Sequence, residues 1–216
     1  IRAASTIMSV TVQDVRSAAA RIQGRVQRTP LLESLALNNM TQARILVKAE
    51  CLQTAGSFKI RGAMNRVMQL PETARSAGVV AFSSGNFGQG LAAACDALEP
   101  KVRCTIVMPG DAPASKQERA RSYGATVVTS EIVPGVNREV TAAELAESLA
   151  QEKGYTLLHP FEDLDVIAGQ GSCAVEACTQ CAERGVGAPA ALLIPTGGGG
   201  LAGGCALAAH DAFGAA

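Results

Sequence analysis

The chain has no tryptophan, two tyrosines and five phenylalanines, so aromatics make up 3% of its 216 residues. That is too few for the stacking platforms on which proteins lay single-stranded bases. No charge excess of either sign is present: 19 lysines and arginines balance 19 aspartates and glutamates. Without a basic stripe there is no electrostatic footprint for nucleic acid, and a net charge near zero favours self-association. Only one C-x-x-C occurs, Cys178 to Cys181, with no second pair, so these thiols read as helix core residues and no metal ligand set is expected within the chain. Seven cysteines, an odd count, argue against a secreted disulfide framework and for a reducing compartment, the cytoplasm. No signal-peptide pattern appears. Residues 1–7, with Arg2, Ser5 and Thr6 but no acid, read as a plain terminus, the end of an organelle presequence being the other reading. Gly185 to Ala209 carries no charge, yet its two prolines and many glycines exclude a lipid-exposed helix.

What remains is an α/β pattern with a core of ordinary size. Val12, Val15, Ala19, Ile22 and Val26 recur at helical spacing, so Thr11 to Gln27 reads as an amphipathic helix, with Thr11 and Asp14 as a capping box. Ile45–Ala49 reads as a strand and Arg61–Leu70 as a helix. Strands at Val79–Phe82, Cys104–Met108, Ala125–Val128, Tyr155–Leu158 and Ala191–Ile194 then alternate with helices at Gly88–Leu98, Ser115–Tyr123, Arg138–Glu152 and Ala168–Arg184. Such alternation predicts parallel sheet covered by helices.

Three segments carry chemistry. Ser57-Phe58-Lys59-Ile60-Arg61-Gly62-Ala63 supplies an amine, and burial would lower its pKa by penalising the ammonium form. Alone, such a lysine is usually a surface residue. Gly197, Gly198, Gly199 and Gly200, with Leu201, lie between an apolar run and a predicted helix, where backbone N–H groups can converge on a dianionic phosphate. Alone, this is a flexible turn. A nucleotide P-loop is excluded, since G-x-x-x-x-G-K-[ST] does not occur. Ser83-Ser84-Gly85-Asn86 follows a strand and opens a helix, so its N–H groups can hold a carboxylate. An amine, a polar cradle and a phosphate cup, in that order, suit an enzyme that holds pyridoxal phosphate through a lysine.

These segments, with His159-Pro160-Phe161-Glu162-Asp163 running on to Ile167-Ala168-Gly169-Gln170-Gly171, resemble the serine/threonine dehydratase and serine racemase family, fold type II of the pyridoxal-phosphate enzymes. The likeness spans about Thr29 to Gly204. It implies two parallel-sheet α/β domains with a cofactor cleft between them: a large one from 1–77 plus 156–216 and a small one from 78–155. It also implies that the C-terminal part of the large domain is missing, and with it a divalent-cation site that some members carry. By resemblance, Lys59 is the Schiff-base lysine, Phe58 packs by the pyridine ring, Asn86 meets the phenolic oxygen, and Gly197–Gly200 with Leu201 hold the phosphate. Ser83, Ser84, Asn86 and Phe87 would bind substrate, with Phe87 standing where histidine is commoner. Ser84 would act as an acid/base on the face opposite Lys59, and Arg138, in Asn137-Arg138-Glu139, would close on a substrate carboxylate. His159 is read as structural.

The implied activity is β-elimination of L-serine or L-threonine to pyruvate or 2-oxobutyrate plus ammonia. Serine racemase and threo-3-hydroxyaspartate ammonia-lyase stand as alternatives, and so does an inactive structural relative or fragment. The partner expected is a small amino acid. Neither nucleic acid nor membrane is expected, and a homodimer or larger homo-oligomer is.

Overall fold

The computed structural model describes residues 9–214, so the readings made for residues 1–7 lie outside it. Thr11 opens the first helix, α1 (Val12–Ile22), through the expected reciprocal cap. Its hydroxyl accepts from the Asp14 amide at 3.2 Å, while the Asp14 carboxylate accepts from the Thr11 amide at 2.8 Å. The helix stops short of Gln27 because Gln23 leaves helical geometry and Gly24 turns at φ +75°.

Two short strands follow, β1 (Leu31–Glu33) and β2 (Leu46–Lys48), paired antiparallel around the helix α2 (Leu35–Thr41). Two 3₁₀ turns, Glu50–Leu52 and Thr54–Gly56, lead into α3 (Lys59–Gln69), and α4 (Glu72–Ala77) comes next. The alternating unit then runs β3 (Val79–Phe82), α5 (Asn86–Asp96), β4 (Cys104–Pro109), α6 (Ala114–Ser122), β5 (Thr126–Ser130), α7 (Arg138–Lys153), β6 (Thr156–Leu157), α8 (Leu164–Glu183) and α9 (Gly200–Phe213).

The sheet is parallel throughout, in the order β5-β4-β3-β6, with Val79 opposite both Cys104 and Thr156. Side chains alternate across it, as the period of a strand requires. Val79, Ala81, Ile106 and Met108 pack with Leu91 of α5 and Met64 of α3, whereas Val80 and Val107 pack with Ala142 and Ala146 of α7. The sheet takes in Thr156 and Leu157, just past the expected boundary at 155.

One expected strand is absent. Ala191–Ile194 is irregular and its Leu193 is 88% exposed. An apolar run becomes a strand only beside another strand that can complete its backbone hydrogen bonds, and none is paired with it among the described residues. Among the described residues the parallel sheet β5-β4-β3-β6 stands beside the antiparallel pair β1-β2.

Close helix approaches fix the start of α3. A Cβ on Gly90 of α5 would stand 2.8 Å from the Ile60 amide nitrogen, and one on Gly169 of α8 would stand 2.7 Å from the Arg61 carbonyl. Gly171 and Gly204 bring α8 and α9 together in the same way, a Gly171 Cβ lying 2.6 Å from the Gly204 carbonyl. Two residues past Lys59, Arg61 is fully buried, and its guanidinium meets Glu50 and Glu176 at 2.8 Å each. Burial alone would lower its pKa, but the two carboxylates outweigh burial and hold it above the ordinary value. A paired charge of this kind tolerates no loss of a partner, so it locks the register of α3 against α8.

Candidate active site

Lys59 is the first residue of α3, a helix with no side-chain cap at its N-terminus. Its Nζ donates to the Pro160 carbonyl at 3.1 Å, and no carboxylate pairs with it among the described residues. The rings of Phe58 and Phe87 have centroids 5.3 and 5.8 Å from Nζ. These apolar walls remove water from the amine, and that burial moves its pKa below the usual lysine value. A neutral amine is the form that can act as nucleophile or base.

Lys59 and Phe58 face the glycine turn across a cavity of about 330 Å³, lined also by Phe161, Thr196, Gly197–Gly200 and Leu201. Gly199 adopts φ +83° as the N-cap of α9, and no side chain caps that helix. Its first-turn N–H groups have no intrahelical acceptor and the positive end of the helix dipole lies beside them. Gly198 has no room for a side chain, because a Cβ there would enter the Phe161 ring, with Cδ1 at 2.8 Å. Gly197 and Gly199, in contrast, face open space. The residues present thus fit a planar cofactor with a phosphate: a desolvated amine, two aromatic walls and an uncapped glycine cup. A larger cavity of about 660 Å³, between Arg25, Arg75 and Tyr123, contains none of these residues and no comparable chemistry.

At the end of β3, Ser83 accepts from the Gly85 amide at 3.2 Å, and α5 begins at Asn86 without a side-chain cap. Asn86 is exposed, whereas Phe87 is 2% exposed and belongs to the core while its ring faces Lys59. The Ser84 hydroxyl donates to the Glu139 carboxylate at 2.9 Å. Arg138 turns outward, where its guanidinium meets Asp111 at 2.7 Å. The cavity therefore gathers Phe58, Lys59, Gly197–Gly200 and Leu201. Ser83 and Ser84 lie in the loop after β3, Asn86 opens α5, and Arg138 is held elsewhere.

Sequence reasoning did not single out Pro160, Phe161 and Glu139. His159 Nδ1 accepts from the Phe161 and Glu162 amides at 3.4 and 3.1 Å, and its ring stacks edge-on between Phe82 and Phe161. It thereby shapes the turn that offers both the Pro160 carbonyl to Lys59 and the Phe161 ring to Gly198. His159→Ala removes both accepted bonds, and cofactor affinity is expected to fall ~10-fold, since each net hydrogen bond is worth about 1 kcal/mol. His159→Asn keeps an acceptor oxygen at that place and should recover most of the loss. Equilibrium titration of both variants checks this, and equal losses in the two would refute the acceptor role.

Comparison with known proteins agrees with this geometry. The model of the pyridoxal-phosphate dependent enzyme family matches residues 22–215. The chain belongs to that family. It is 44% identical over 195 residues to an L-threo-3-hydroxyaspartate ammonia-lyase of a Pseudomonas species, covering 90% of this chain and 57% of that protein. The structure of a T.th. threonine deaminase superimposes with TM-score 0.83 at 43% identity, over 93% of this chain and 61% of that one. Maize serine racemase gives TM-score 0.85 at 34% identity, over 94% and 58%. The chain thus spans little more than half the length of these relatives.

The two cysteines of the C-x-x-C do not form a reactive pair. Cys181 is buried, and the half-buried Cys178 thiol is pushed up to about 11, chiefly by burial. Among the described residues no group of His, Cys, Asp and Glu side chains is placed to hold a metal ion, and no helix is long and apolar enough to cross a membrane.

Proposed function

We propose that the protein is an ammonia-lyase that removes the β-hydroxyl and amino group of L-serine or L-threonine, giving pyruvate or 2-oxobutyrate and ammonia. The observation that carries this reading is the desolvated Lys59 amine, with no acidic partner among the described residues, facing an uncapped glycine cup across one cavity. Gly197–Gly200 and Leu201 would hold the phosphate of pyridoxal phosphate, and Phe58 would pack by its ring. Bound there, the cofactor supplies an electron sink for the pair left at Cα when its proton departs. Lys59 takes that proton, which only its neutral form can do. The Ser83–Asn86 loop, an N-terminal turn of α5, orients the substrate carboxylate. Water is lost and regained, so the net products are the 2-oxo acid and ammonia.

A second reading is amino-acid racemisation, favoured by the contact between Ser84 and Glu139. Racemisation needs an acid/base on each face of Cα, whereas elimination needs one. Likeness to hydroxyaspartate ammonia-lyases makes threo-3-hydroxyaspartate the third substrate to test. All seven cysteines are free, which suits the cytoplasm. Leu35, Met40 and Leu193, each at least 76% exposed, suit a homo-oligomer. The test is to assay the full-length protein on L-serine, D-serine, L-threonine and threo-3-hydroxyaspartate, following 2-oxo acid and enantiomer together. Oxo-acid release from L-serine or L-threonine is expected, and none from either would overturn the elimination reading.

A further inference from the structure

A serine hydroxyl has one proton to donate. In this structure Ser84 has already committed it: the hydroxyl donates to Glu139 Oε1 at 2.9 Å. Its oxygen then has only lone pairs to offer to anything else that approaches. An acceptor cannot hold a substrate carboxylate, because two acceptors do not bond. It can accept a proton. The contact therefore separates the two roles that sequence leaves open for Ser84, and it favours the acid/base over the carboxylate clamp.

Glu139 is held in place for this. It lies in the first turn of α7, where its amide donates to the Asn137 side chain at 3.0 Å and the helix dipole favours its carboxylate. The neighbouring arginine does not neutralise it, since Arg138 is engaged with Asp111 on the exposed side. Among the described residues no cation is paired with the Glu139 carboxylate. A serine hydroxyl by itself is too weak a base to take a proton from carbon, and a carboxylate bonded behind it can accept the proton that the hydroxyl gives up.

We propose that Glu139 is a positioning residue that acts through Ser84, the two forming a proton relay on the face of the substrate opposite Lys59. This rests on the racemase reading above. In one direction the Cα–H bond breaks and a new Oγ–H bond forms on Ser84, while the old Oγ–H proton passes to Oε1 and Glu139 becomes a carboxylic acid. The electron pair left at Cα takes a proton from the Lys59 ammonium on the other face. In the other direction Lys59 takes the Cα proton, Ser84 gives its own to the opposite face, and Glu139 returns one to Ser84. Each turnover moves one proton between Lys59 and Glu139, and nothing is oxidised or reduced.

Glu139→Gln separates proton transfer from position, because the amide oxygen still accepts the Ser84 bond but cannot take up the proton. In the full-length, cofactor-loaded protein, E139Q is expected to slow interconversion of L- and D-serine by ~10²–10⁴-fold, the usual worth of a positioned acid/base, and to slow oxo-acid release far less. Glu139→Asp keeps the carboxylate and should restore part of the loss, which a merely structural role would not show. A readout independent of turnover is the carbon-13 NMR spectrum of the labelled glutamate carboxyls in the cofactor-free protein, with E139Q giving the assignment. Ser84→Ala should move the Glu139 carboxyl resonance, since the carboxylate loses the hydroxyl's hydrogen bond. If the unaltered protein interconverts the enantiomers and E139Q does so equally fast, the relay is overturned and the racemase reading stands. If the unaltered protein does not interconvert them at all, both fall. A Glu139 carboxyl resonance indifferent to Ser84→Ala would show that the pair is not in contact and would likewise overturn the relay.

Discussion

Replacing Lys59 with alanine is expected to abolish covalent attachment of the cofactor and to lower turnover by ~10⁴-fold or more, the upper range for a positioned acid/base. Borohydride reduction of the cofactor-loaded protein followed by peptide mapping should place a pyridoxyl group on Lys59 and nowhere in the variant. Lys48, on β2 upstream of Lys59, is the instructive rival. Its Nζ is already engaged by Glu176 at 2.6 Å, the Thr29 carbonyl at 2.7 Å and Gln180 at 3.0 Å. Three acceptors thus take up its N–H donors, and Lys48 does not line the cavity that Lys59 faces. An adduct on Lys48 would overturn this assignment of the site.

The same lysine makes the stability of the protein depend on pH. Burial lowers its pKa in the folded chain below the ordinary lysine value of 10.5. Between the folded and unfolded values, the unfolded chain binds a proton that the folded chain does not. The stability contribution of Lys59 therefore rises with pH across that window and is poorest below it. Its amine should also become nucleophilic at a lower pH than that of Lys101, which the Asp96 carboxylate at 2.6 Å moves the other way. Acylation of the cofactor-free protein over a pH series, read peptide by peptide, should show Lys59 reacting first.

Much of the fold was legible because local signals agreed with one another. The capping box at Thr11 and Asp14 marked the start of α1, and the apolar runs at Val79–Phe82 and Cys104–Pro109 are the two central strands. Motif order alone paired Lys59 with the glycine turn. What escaped depends on partners far away in sequence. The helix α2 has no buried residue, so no apolar stripe announced it. Ala191–Ile194 has the composition of a strand, but composition does not supply the neighbour that completes its backbone bonds. Family resemblance marks Arg138 as a carboxylate clamp, while Glu139 beside it makes the contact with Ser84, 55 positions away in the chain. The role of His159 likewise appears only once its ring is seen between two phenylalanines.

Gly198→Asp is expected to weaken cofactor binding by ~10²-fold or more. Two effects act in the same direction. The new Cβ would lie inside the Phe161 ring, with Cδ1 and Cδ2 at 2.8 and 2.6 Å, and something must move. Phe161 is poorly placed to yield, because the His159 ring stands against it at 4.6 Å between centroids and the turn behind it is pinned by the two amide bonds to Nδ1. Overpacking of this kind costs about 1–3 kcal/mol, and 1.4 kcal/mol is a factor of ten. The second effect is electrostatic: a carboxylate at the mouth of the α9 N-terminus would take the place of a dianionic phosphate and repel it. Gly198→Ala isolates the steric part and should give the smaller of the two losses. Gly197→Ala is the discriminating companion, since its Cβ meets nothing within 4 Å. Its backbone N–H survives the substitution, so it should lose far less affinity than either change at Gly198. Equilibrium titration of the three variants with pyridoxal phosphate, beside a thermal melt of each cofactor-free protein, separates lost binding from lost fold. Equal affinities for Gly198→Asp and Gly197→Ala would show that the phosphate is held somewhere other than this turn.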